Sequence, residues 1–376
     1  MKNKMITAMF VLYILFFAIG SVIIKDRSFS DMENRNLEQL PEVSLDSIRN
    51  GSFTEDFEKY MSDQIILKDS LVRIKVGENR ILNQTLINGV YFAEDDMLIQ
   101  KYENPYGQLD KNIQYINEFA ELNPDLSCTM LVAPNACYVY EDKLPAYAES
   151  YDQGEVLAYL HGNISEKINF VDCGSELKAA GDEYIFYRTD HHWTINGAYI
   201  GYRVLCDAIG IKATPKSDYN IVTADRDFYG TLYSKAPTFG QKKDDIILYE
   251  NPAGEYVVEY TDTNETDTSL YKKDNLKIKD KYKTYLDGNH SIMKIKSNAV
   301  SCEDEECSHK LLVVKDSYAH SLLPLLADNY SEIIVVDLRY YHQSVSRLAE
   351  DNGIKDVVFI NNLDFISTDN NFLWLQ

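Results

Sequence analysis

Three short apolar runs recur in the C-terminal third of the chain, separated by segments of helical length. They are Leu311–Val314, Glu332–Leu338 and Val357–Ile360, and a helix predicted between the last two starts after Ser344 and ends before Gly353. Continuous apolar strands that alternate with helices are typical of a parallel sheet covered on both faces. The pattern therefore predicts an α/β domain with a parallel sheet.

The same alternation extends toward the N-terminus. A helical pattern over residues 109–119 precedes strand candidates at Thr129–Val132, Ile168–Val171 and Tyr184–Tyr187. Residues from about 214 to 305 are more polar, and Ile246–Tyr249 and Tyr256–Tyr260 predict a hairpin across the turn-prone Asn-Pro-Ala-Gly between them. We predict an antiparallel insertion within the α/β domain here.

An uncharged run of 20 residues, Met5–Ile24, lies near the N-terminus, with two lysines before it and Lys25 and Arg27 after it. As a helix it spans about 30 Å, the thickness of a hydrocarbon core. Lysines before the run place that end in the cytoplasm and the rest of the chain outside. We predict a membrane anchor; the alternative is a signal peptide cleaved after Gly20.

We predict three parts in the chain. Residues 1–27 form a cytoplasmic stub and the membrane anchor. Residues 28–105 form a membrane-proximal, mainly helical segment, in which apolar side chains from Phe53 to Met61 and from Leu71 to Ile81 recur at helical spacing. Residues 106–376 form the α/β domain, with the β-rich insertion at about 214–305.

The composition is acidic and bears on the partners. The chain has 37 Lys and Arg against 59 Asp and Glu, a net charge of −22, which repels a nucleic-acid backbone. Its six cysteines show no CxxC spacing. Outside the cytoplasm they are free to form disulfides, with Cys302 and Cys307 placed to close an acidic loop; buried free thiols are the alternative.

The densest polar cluster is Tyr187–Trp193, which ends one predicted strand and opens the next predicted helix. Residues i and i+2 of an extended segment point the same way, so Asp190 and His192 share a face while His191 points elsewhere. An acid beside a histidine fixes its tautomer and stabilises its charged form. The alternatives are a metal site, which adjacent histidines without HExxH spacing disfavour, and a capped helix start with a buried histidine.

Ser317 follows the predicted strand Leu311–Val314, at the sheet edge where open α/β sheets place their ligand sites. Pro324 disfavours a helix begun at Ser317, so we predict a helix start near Ser321 and a tight turn at Ser317. A serine at a helix start is commonly only a cap. Together with an Asp-x-His that supplies a base, it predicts a nucleophile beside N–H groups able to stabilise an oxyanion.

Asp190-His191-His192-Trp193 is the signature of the DHHW protein family, and the chain resembles this family over most of its exported part. The resemblance extends over further motifs: Glu33–Arg35, Tyr60–Gln64, Phe228–Leu232, Lys315–Tyr318 and Asp337–Tyr341. The family is similar to the SGNH-like proteins that O-acetylate alginate and other exopolysaccharides outside the membrane. The resemblance implies an SGNH-hydrolase-like three-layer α/β/α fold.

Those relatives use an Asp-x-His pair upstream of a nucleophilic serine, an order permuted relative to ordinary SGNH esterases. By motif, the pair falls on Asp190 and His192 and the serine on Ser317. The resemblance implies that His192 deprotonates Ser317, which takes up acetyl and passes it to a sugar hydroxyl. It also implies a cell-surface polysaccharide as acceptor and a polytopic membrane acyltransferase as donor. We predict no cofactor, since no nucleotide-binding fingerprint is present, and no metal, since adjacent histidines of an extended segment point apart.

Four further residues are candidates for oxyanion or substrate binding. Asn135 follows a predicted strand. The resemblance implies that its side chain donates a hydrogen bond to the oxyanion; an ordinary turn residue is an equally good interpretation. Tyr318 follows the serine, and Arg339 and Tyr340 follow a predicted parallel strand, where they are placed to hold a sugar or the tetrahedral intermediate. For Arg339, pairing with an acid is the alternative.

Two other functions fit the same sequence. An acetyl-esterase has the same triad with water as the acceptor, because the pocket chooses the acceptor. A non-catalytic polysaccharide-binding or assembly protein keeps the fold without the chemistry. The preferred hypothesis is a membrane-anchored, extracytoplasmic O-acetyltransferase acting on a cell-surface polysaccharide.

Overall fold

The computed structural model describes residues 2–181, 183–298 and 309–375, and the chain divides into two units. The first unit comprises Met1–Asn88 and Tyr233–Gln241, and the second comprises Gly89–Leu232 and Lys242–Gln376. The sequence-based boundaries at residues 27 and 105 stay a prediction. The loop between Cys302 and Cys307, with its predicted disulfide, lies outside the described residues.

The first unit is mainly helical. Its elements are α1 (Lys2–Ile23), β1 (Phe29–Ser30), β2 (Arg35–Asn36), α2 (Leu45–Asn50), α3 (Ser52–Gln64), α4 (Lys68–Ile81) and β3 (Leu86–Ile87). The span Asn3–Ile23 of α1 is long and apolar enough to cross a membrane. The two helices predicted from apolar spacing in this part of the chain are confirmed as α3 and α4.

The second unit alternates strands and helices. In chain order, with α10 running past its boundary, the elements are β4 (Val90–Phe92), β5 (Leu98–Gln100), α5 (Gln108–Leu122), β6 (Ser127–Ala133), α6 (Ala136–Val139), α7 (Gln153–Asn163), β7 (Ile168–Asp172), α8 (Gly174–Ala179), α9 (Ile195–Ile209), β8 (Asn220–Phe228), α10 (Thr231–Lys235), β9 (Asp244–Glu250), β10 (Tyr256–Tyr260), β11 (Glu265–Asp267), β12 (Ile292–Ser297), β13 (Lys310–Lys315), α11 (Ala319–Leu326), β14 (Glu332–Val336), α12 (Val345–Asp351), β15 (Asp356–Asn362) and α13 (Leu363–Thr368).

Within the described residues, eight strands form one sheet in the order β11-β10-β12-β14-β13-β15-β6-β7. The strands from β14 to β7 are parallel neighbours, and the insertion strands β10, β11 and β12 extend one edge in antiparallel pairing. The central strands are buried along their length, as continuous apolar runs require. The predicted α/β fold class with an antiparallel insertion is confirmed.

Two groups of helices cover this sheet. α9 packs on α11 and contacts β6 and β7, whereas α5 packs on α13 and on the 3₁₀ helix Asn371–Leu375. α12 begins where predicted, because the Ser344 side chain accepts a hydrogen bond from Arg347 N. Gly353, just beyond this helix, has the left-handed φ of +65° expected there.

Two local predictions were wrong. β9 does not form a hairpin with β10: it pairs with β8 in a separate sheet, whereas β10 pairs with β11 and β12. The turn between them exists, with Gly254 N donating to Asn251 O, but each strand finds its partner elsewhere in the chain. Tyr184–Tyr187 is not a strand; the chain reverses at once, and an isolated bridge joins Phe186 to Trp193.

Candidate active site

The loop 188–192, which carries the Asp-His-His sequence, is held by the carboxylate of Asp244 at the start of β9. This carboxylate accepts hydrogen bonds from Arg188 N and Thr189 N, both at 2.8 Å. It also accepts them from the hydroxyls of Thr189 and Tyr184, both at 2.5 Å. Asp244 is fully buried, and burial raises its pKa above the ordinary value. Four donors on one buried group fix the backbone of the loop.

Asp190 lies at the tip of this loop and binds two partners. Its Oδ1 accepts hydrogen bonds from His192 N at 3.0 Å and from His192 Nδ1 at 2.5 Å. Its Oδ2 accepts hydrogen bonds from Thr231 N at 2.8 Å and from the Thr231 hydroxyl at 3.1 Å. Burial opposes the charge, but both neighbouring histidines and these hydrogen bonds outweigh it, so the pKa of Asp190 lies below its usual range.

His192 joins Asp190 to Ser317. Its Nε2 lies 2.7 Å from Ser317 Oγ, while Nδ1 faces Asp190. With the proton on Nδ1 held by the carboxylate, Nε2 is the acceptor for the serine hydroxyl. The Tyr282 ring stacks on the imidazole at 3.9 Å between centroids, and its hydroxyl donates to Ser317 O at 3.0 Å. Tyr282 therefore touches both members of the pair.

Ser317 lies in the turn between β13 and α11. The Asp316 carboxylate accepts hydrogen bonds from Tyr318 N at 2.8 Å and from Asn362 N, at the end of β15, at 2.6 Å. Burial raises the pKa of Asp316 to about 6. The helix begins at Ala319, two residues before the predicted start, and contains Pro324; the tight turn at Ser317 is present nonetheless.

Two groups at this edge of the sheet are candidates for an oxyanion site, Ser317 N and the side-chain amide of Asn135. Ser317 N makes no hydrogen bond to the described residues, and the buried Oδ1 of Asn135 has no partner among them. Asn135 is 5% exposed and is held through its backbone N–H, which donates to Gln153 Oε1 at 3.0 Å. Asn135 follows β6 and Ser317 follows β13, with β15 between them, so both lie at the carboxyl edge of the sheet.

Tyr318 and His191 take positions that the sequence did not indicate. Tyr318 is 2% exposed, its hydroxyl donates to His191 O, and its carbonyl accepts a hydrogen bond from Trp193 Nε1. It ties the serine turn to the histidine loop. The expectation that His191 points away from His192 was wrong: the two rings lie 3.8 Å apart, because the segment is a tight loop rather than a strand.

Arg339 and Tyr340 lie just beyond β14, beside the strand that leads to the serine. Arg339 donates through Nε and Nη2 to Asp337 at 2.8 and 2.6 Å, so the ion pair foreseen as the alternative is present. Asp337 also binds Lys315 Nζ at 2.7 Å, and both side chains are fully buried. The Arg339 side chain is 25% exposed and Tyr340 is 53% exposed, and a ligand-binding role for either stays a prediction.

Asp190, His191 and His192 each place a potential metal-binding atom within 4.8 Å of the others. Hydrogen bonds engage these atoms: the Asp190 carboxylate binds His192 and Thr231, and His191 Nδ1 lies 2.7 Å from the Thr231 hydroxyl. The donor set is therefore organised around the histidine and serine rather than around an open coordination position.

The sequence missed three residues of the site: Thr231, Asp244 and Tyr282. Thr231 lies within the Phe228–Leu232 motif, so a signal for it existed without a role attached. Asp244 and Tyr282 lie in the polar insertion, where no motif marks them. Their contacts depend on long-range packing, which residue spacing does not encode.

Ser317, His192 and Asp190 form one hydrogen-bonded chain at the carboxyl edge of the parallel sheet, and the fold is that of an SGNH-like α/β protein. The family model described as DHHW protein matches residues 89–336, and the chain belongs to this family. No curated protein gives a significant match.

Several solved structures are similar to most of this chain. A DHHW family protein from Eubacterium siraeum is 25% identical, with a TM-score of 0.65, over 77% of this chain and 95% of its own. Bacillus cereus PatB1 with a sulfonyl adduct is 19% identical, with a TM-score of 0.63, over 76% and 98%. The O-acetyltransferase domain of Pseudomonas putida AlgJ is 13% identical, with a TM-score of 0.46, over 75% and 93%.

Proposed function

We propose that the protein is an extracytoplasmic O-acetyltransferase that acetylates a cell-surface polysaccharide through Ser317, His192 and Asp190. The observation that carries the proposal is the continuous hydrogen-bonded chain from Asp190 Oδ1 to His192 Nδ1 and from His192 Nε2 to Ser317 Oγ, at 2.5 and 2.7 Å. This arrangement suits a serine nucleophile with its general base. Membership of the DHHW family and the SGNH-like fold support the same class of chemistry.

The mechanism has two half-reactions. In the first, Ser317 Oγ attacks the acetyl carbonyl while His192 Nε2 takes the hydroxyl proton, and the oxyanion is stabilised by Ser317 N–H and the Asn135 amide. Collapse of the intermediate breaks the bond to the donor oxygen, which receives the proton from His192. In the second, a sugar hydroxyl gives its proton to His192 and attacks the acetyl-serine carbonyl. Breaking of the bond to Ser317 Oγ then releases the acetylated sugar, and Oγ takes the proton back from His192.

The acetyl donor requires a partner in this proposal. The donor we infer is an acetyl group delivered through a polytopic membrane acyltransferase, because acetyl-coenzyme A is not supplied outside the membrane. An uncleaved α1 keeps the protein beside that partner. The segment after α1 is tied to the folded unit: Tyr60 hydroxyl donates to Asp26 at 3.0 Å, and Arg27 binds both carboxylate oxygens of Asp69 at 3.1 Å.

The test is covalent labelling of the full-length protein with an aryl sulfonyl fluoride, followed by peptide mass spectrometry. We expect a sulfonyl group on Ser317 in the wild type and a loss of labelling rate of about 100-fold or more in His192→Ala, since general-base catalysis contributes 10²–10⁴. His191→Ala is the comparison variant and should lose much less labelling than His192→Ala, because the ring nitrogen beside Ser317 Oγ belongs to His192, whereas His191 Nδ1 faces the Thr231 hydroxyl. Equal labelling of wild type and His192→Ala would leave Ser317 without a base and refute the mechanism.

A second assay separates transfer from hydrolysis. The protein is incubated with a chromogenic acetyl ester, with and without an oligosaccharide of the cell surface, and acetate and acetylated sugar are both measured. A transferase forms acetylated sugar and loses this product in Ser317→Ala. Rapid acetate release with no sugar product indicates the esterase instead. A wild type that labels at Ser317 but turns over neither substrate favours the binding or assembly role.

A further inference from the structure

Three consecutive apolar residues, Ile65–Leu67, form the elbow between α3 and α4 in the first unit. The elbow packs on the last turn of α1. Ile66 N donates to Ser21 Oγ at 3.1 Å, and Gly20 lies so close that a Cβ there would be 3.0 Å from Ile66 Cδ1. Ser21 is only 9% exposed, whereas most of α1 is exposed. The elbow is thus fixed to one level of α1.

That level lies within the apolar span of α1. The span Asn3–Ile23 has 21 residues, and at 1.5 Å per residue it covers about 30 Å, a whole hydrocarbon core. Gly20 lies five residues before Lys25, which at 1.5 Å per residue is roughly 7.5 Å deeper toward the centre of the bilayer. If α1 spans the bilayer, a group packed against Gly20 and Ser21 lies at the boundary between headgroups and acyl chains.

The distribution of charge around the elbow agrees with that depth. Polar residues border it on both sides, with Asp63 and Gln64 before it and Lys68 and Asp69 after it. Lys68 is turned into the unit, where its Nζ binds Asp63 at 2.7 Å and Glu33 at 2.9 Å. The elbow itself carries no charged side chain, so no ion has to be desolvated when it moves from water to lipid.

Leu67 adds an independent observation. Its backbone lies in the left-handed region, with φ +62° and ψ 20°, a conformation that is unfavourable for leucine. The same side chain is 55% exposed, so packing within the protein does not account for it. A strained backbone that presents an apolar side chain outward indicates a contact outside the chain.

We infer that the elbow inserts into the outer face of the lipid bilayer and gives the first unit a second membrane contact beside α1. The inference rests on the proposed membrane anchoring by α1. Lipid covers the elbow in this arrangement, at the depth where the apolar groups of interfacial segments are buried, about 5–10 Å into the boundary between headgroups and acyl chains. The elbow thereby continues the surface that α1 already presents to the membrane.

The test places tryptophan at two positions of the full-length protein, reconstituted in phosphatidylglycerol–phosphatidylcholine vesicles that carry nitroxide quenchers near the top of the acyl chains. Leu67→Trp probes the elbow, and Val22→Trp, 84% exposed on α1, reports the anchor at nearly the same depth. The emission of the unsubstituted protein is subtracted. We expect comparable loss of emission for both variants.

The outcomes separate the two claims. Quenching of Val22→Trp without quenching of Leu67→Trp overturns the elbow contact while α1 remains an anchor, and it favours a protein partner at the elbow. No quenching of either variant overturns the anchor and the elbow contact together. Hydroxyl-radical footprinting of the unsubstituted protein in nanodiscs avoids any folding defect of the variants: Leu67 should be protected while Leu45, 88% exposed, reacts, and equal reactivity refutes the contact.

Discussion

Replacing Asp244 with asparagine tests whether the histidine loop depends on its buried clamp. The Asp244 carboxylate accepts hydrogen bonds from two backbone N–H groups and two hydroxyls. Asparagine keeps one acceptor oxygen and turns an NH₂ group toward donors, so at least one donor loses its partner. A hydrogen bond to a charged group contributes about 1.5–3 kcal/mol, which corresponds to a roughly 10- to 100-fold smaller population of the correctly placed loop.

The assay is the rate of sulfonyl fluoride labelling at Ser317, measured beside thermal unfolding. We expect Asp244→Asn to label about 10- to 100-fold more slowly, since Asp190 and His192 lie on the loop that loses its support. Asp245→Asn is the matched control, because the neighbouring Asp245 side chain is 39% exposed and its ion pair with Arg226 is long, at 3.9 Å. A native labelling rate in Asp244→Asn, with unchanged unfolding, would refute the role of the clamp.

Three further predictions concern other contacts. Gly230→Ala should destabilise the fold by about 1–3 kcal/mol and slow labelling, because its Cβ would lie 2.2 Å from Asp190 Cβ, whereas Gly77→Ala, with nothing within 4 Å, should do neither. Because the pKa of Asp190 is lowered in the folded protein, its ionised form stabilises the fold at pH values above about 3.9, the pKa of an unfolded aspartate. This stabilisation is lost as the pH falls below that value toward the folded-state pKa. Asp190→Asn lacks it, so the drop in melting temperature on acidification should be smaller in this variant. Leu67→Asn should raise the melting temperature in detergent, since a backbone φ of +62° costs asparagine about 1 kcal/mol less conformational free energy than leucine. An unchanged melting temperature would contradict backbone strain at this position.

The central sheet could be predicted from the sequence because four of the five parallel strands that the structure describes, all except β7, are buried along almost their whole length. Leu311–Val314 and Val357–Ile360 lie within β13 and β15, and only the ends differ. The insertion was harder, because its strands are half-buried and more polar. The prediction of a turn after β9 was correct, yet β9 and β10 belong to different sheets. Local sequence specifies a turn, whereas strand partners depend on which faces are covered in the fold.

The candidate site was predictable where chemistry restricts residue type. Asp190, His192 and Ser317 stand out because few arrangements pair an acid, a base and a hydroxyl, and the structure brings these three together. Whether they catalyse acetyl transfer stays a prediction. The supporting residues were not predictable. Asp244 and Tyr282 act through packing and hydrogen bonds to the backbone, and nothing in the sequence distinguishes them from the other acidic and aromatic residues of the same polar stretch.

The insertion extends one edge of the sheet and also contributes residues to the site. Asp244 holds the backbone of the histidine loop, and Thr231, at the start of α10, binds the second oxygen of Asp190. Tyr282 covers the imidazole and binds the carbonyl of Ser317. The histidine loop precedes the insertion in the chain, and the serine follows it. The insertion therefore contributes contacts to both the base and the nucleophile, beside the direct contacts of Tyr318 with the histidine loop.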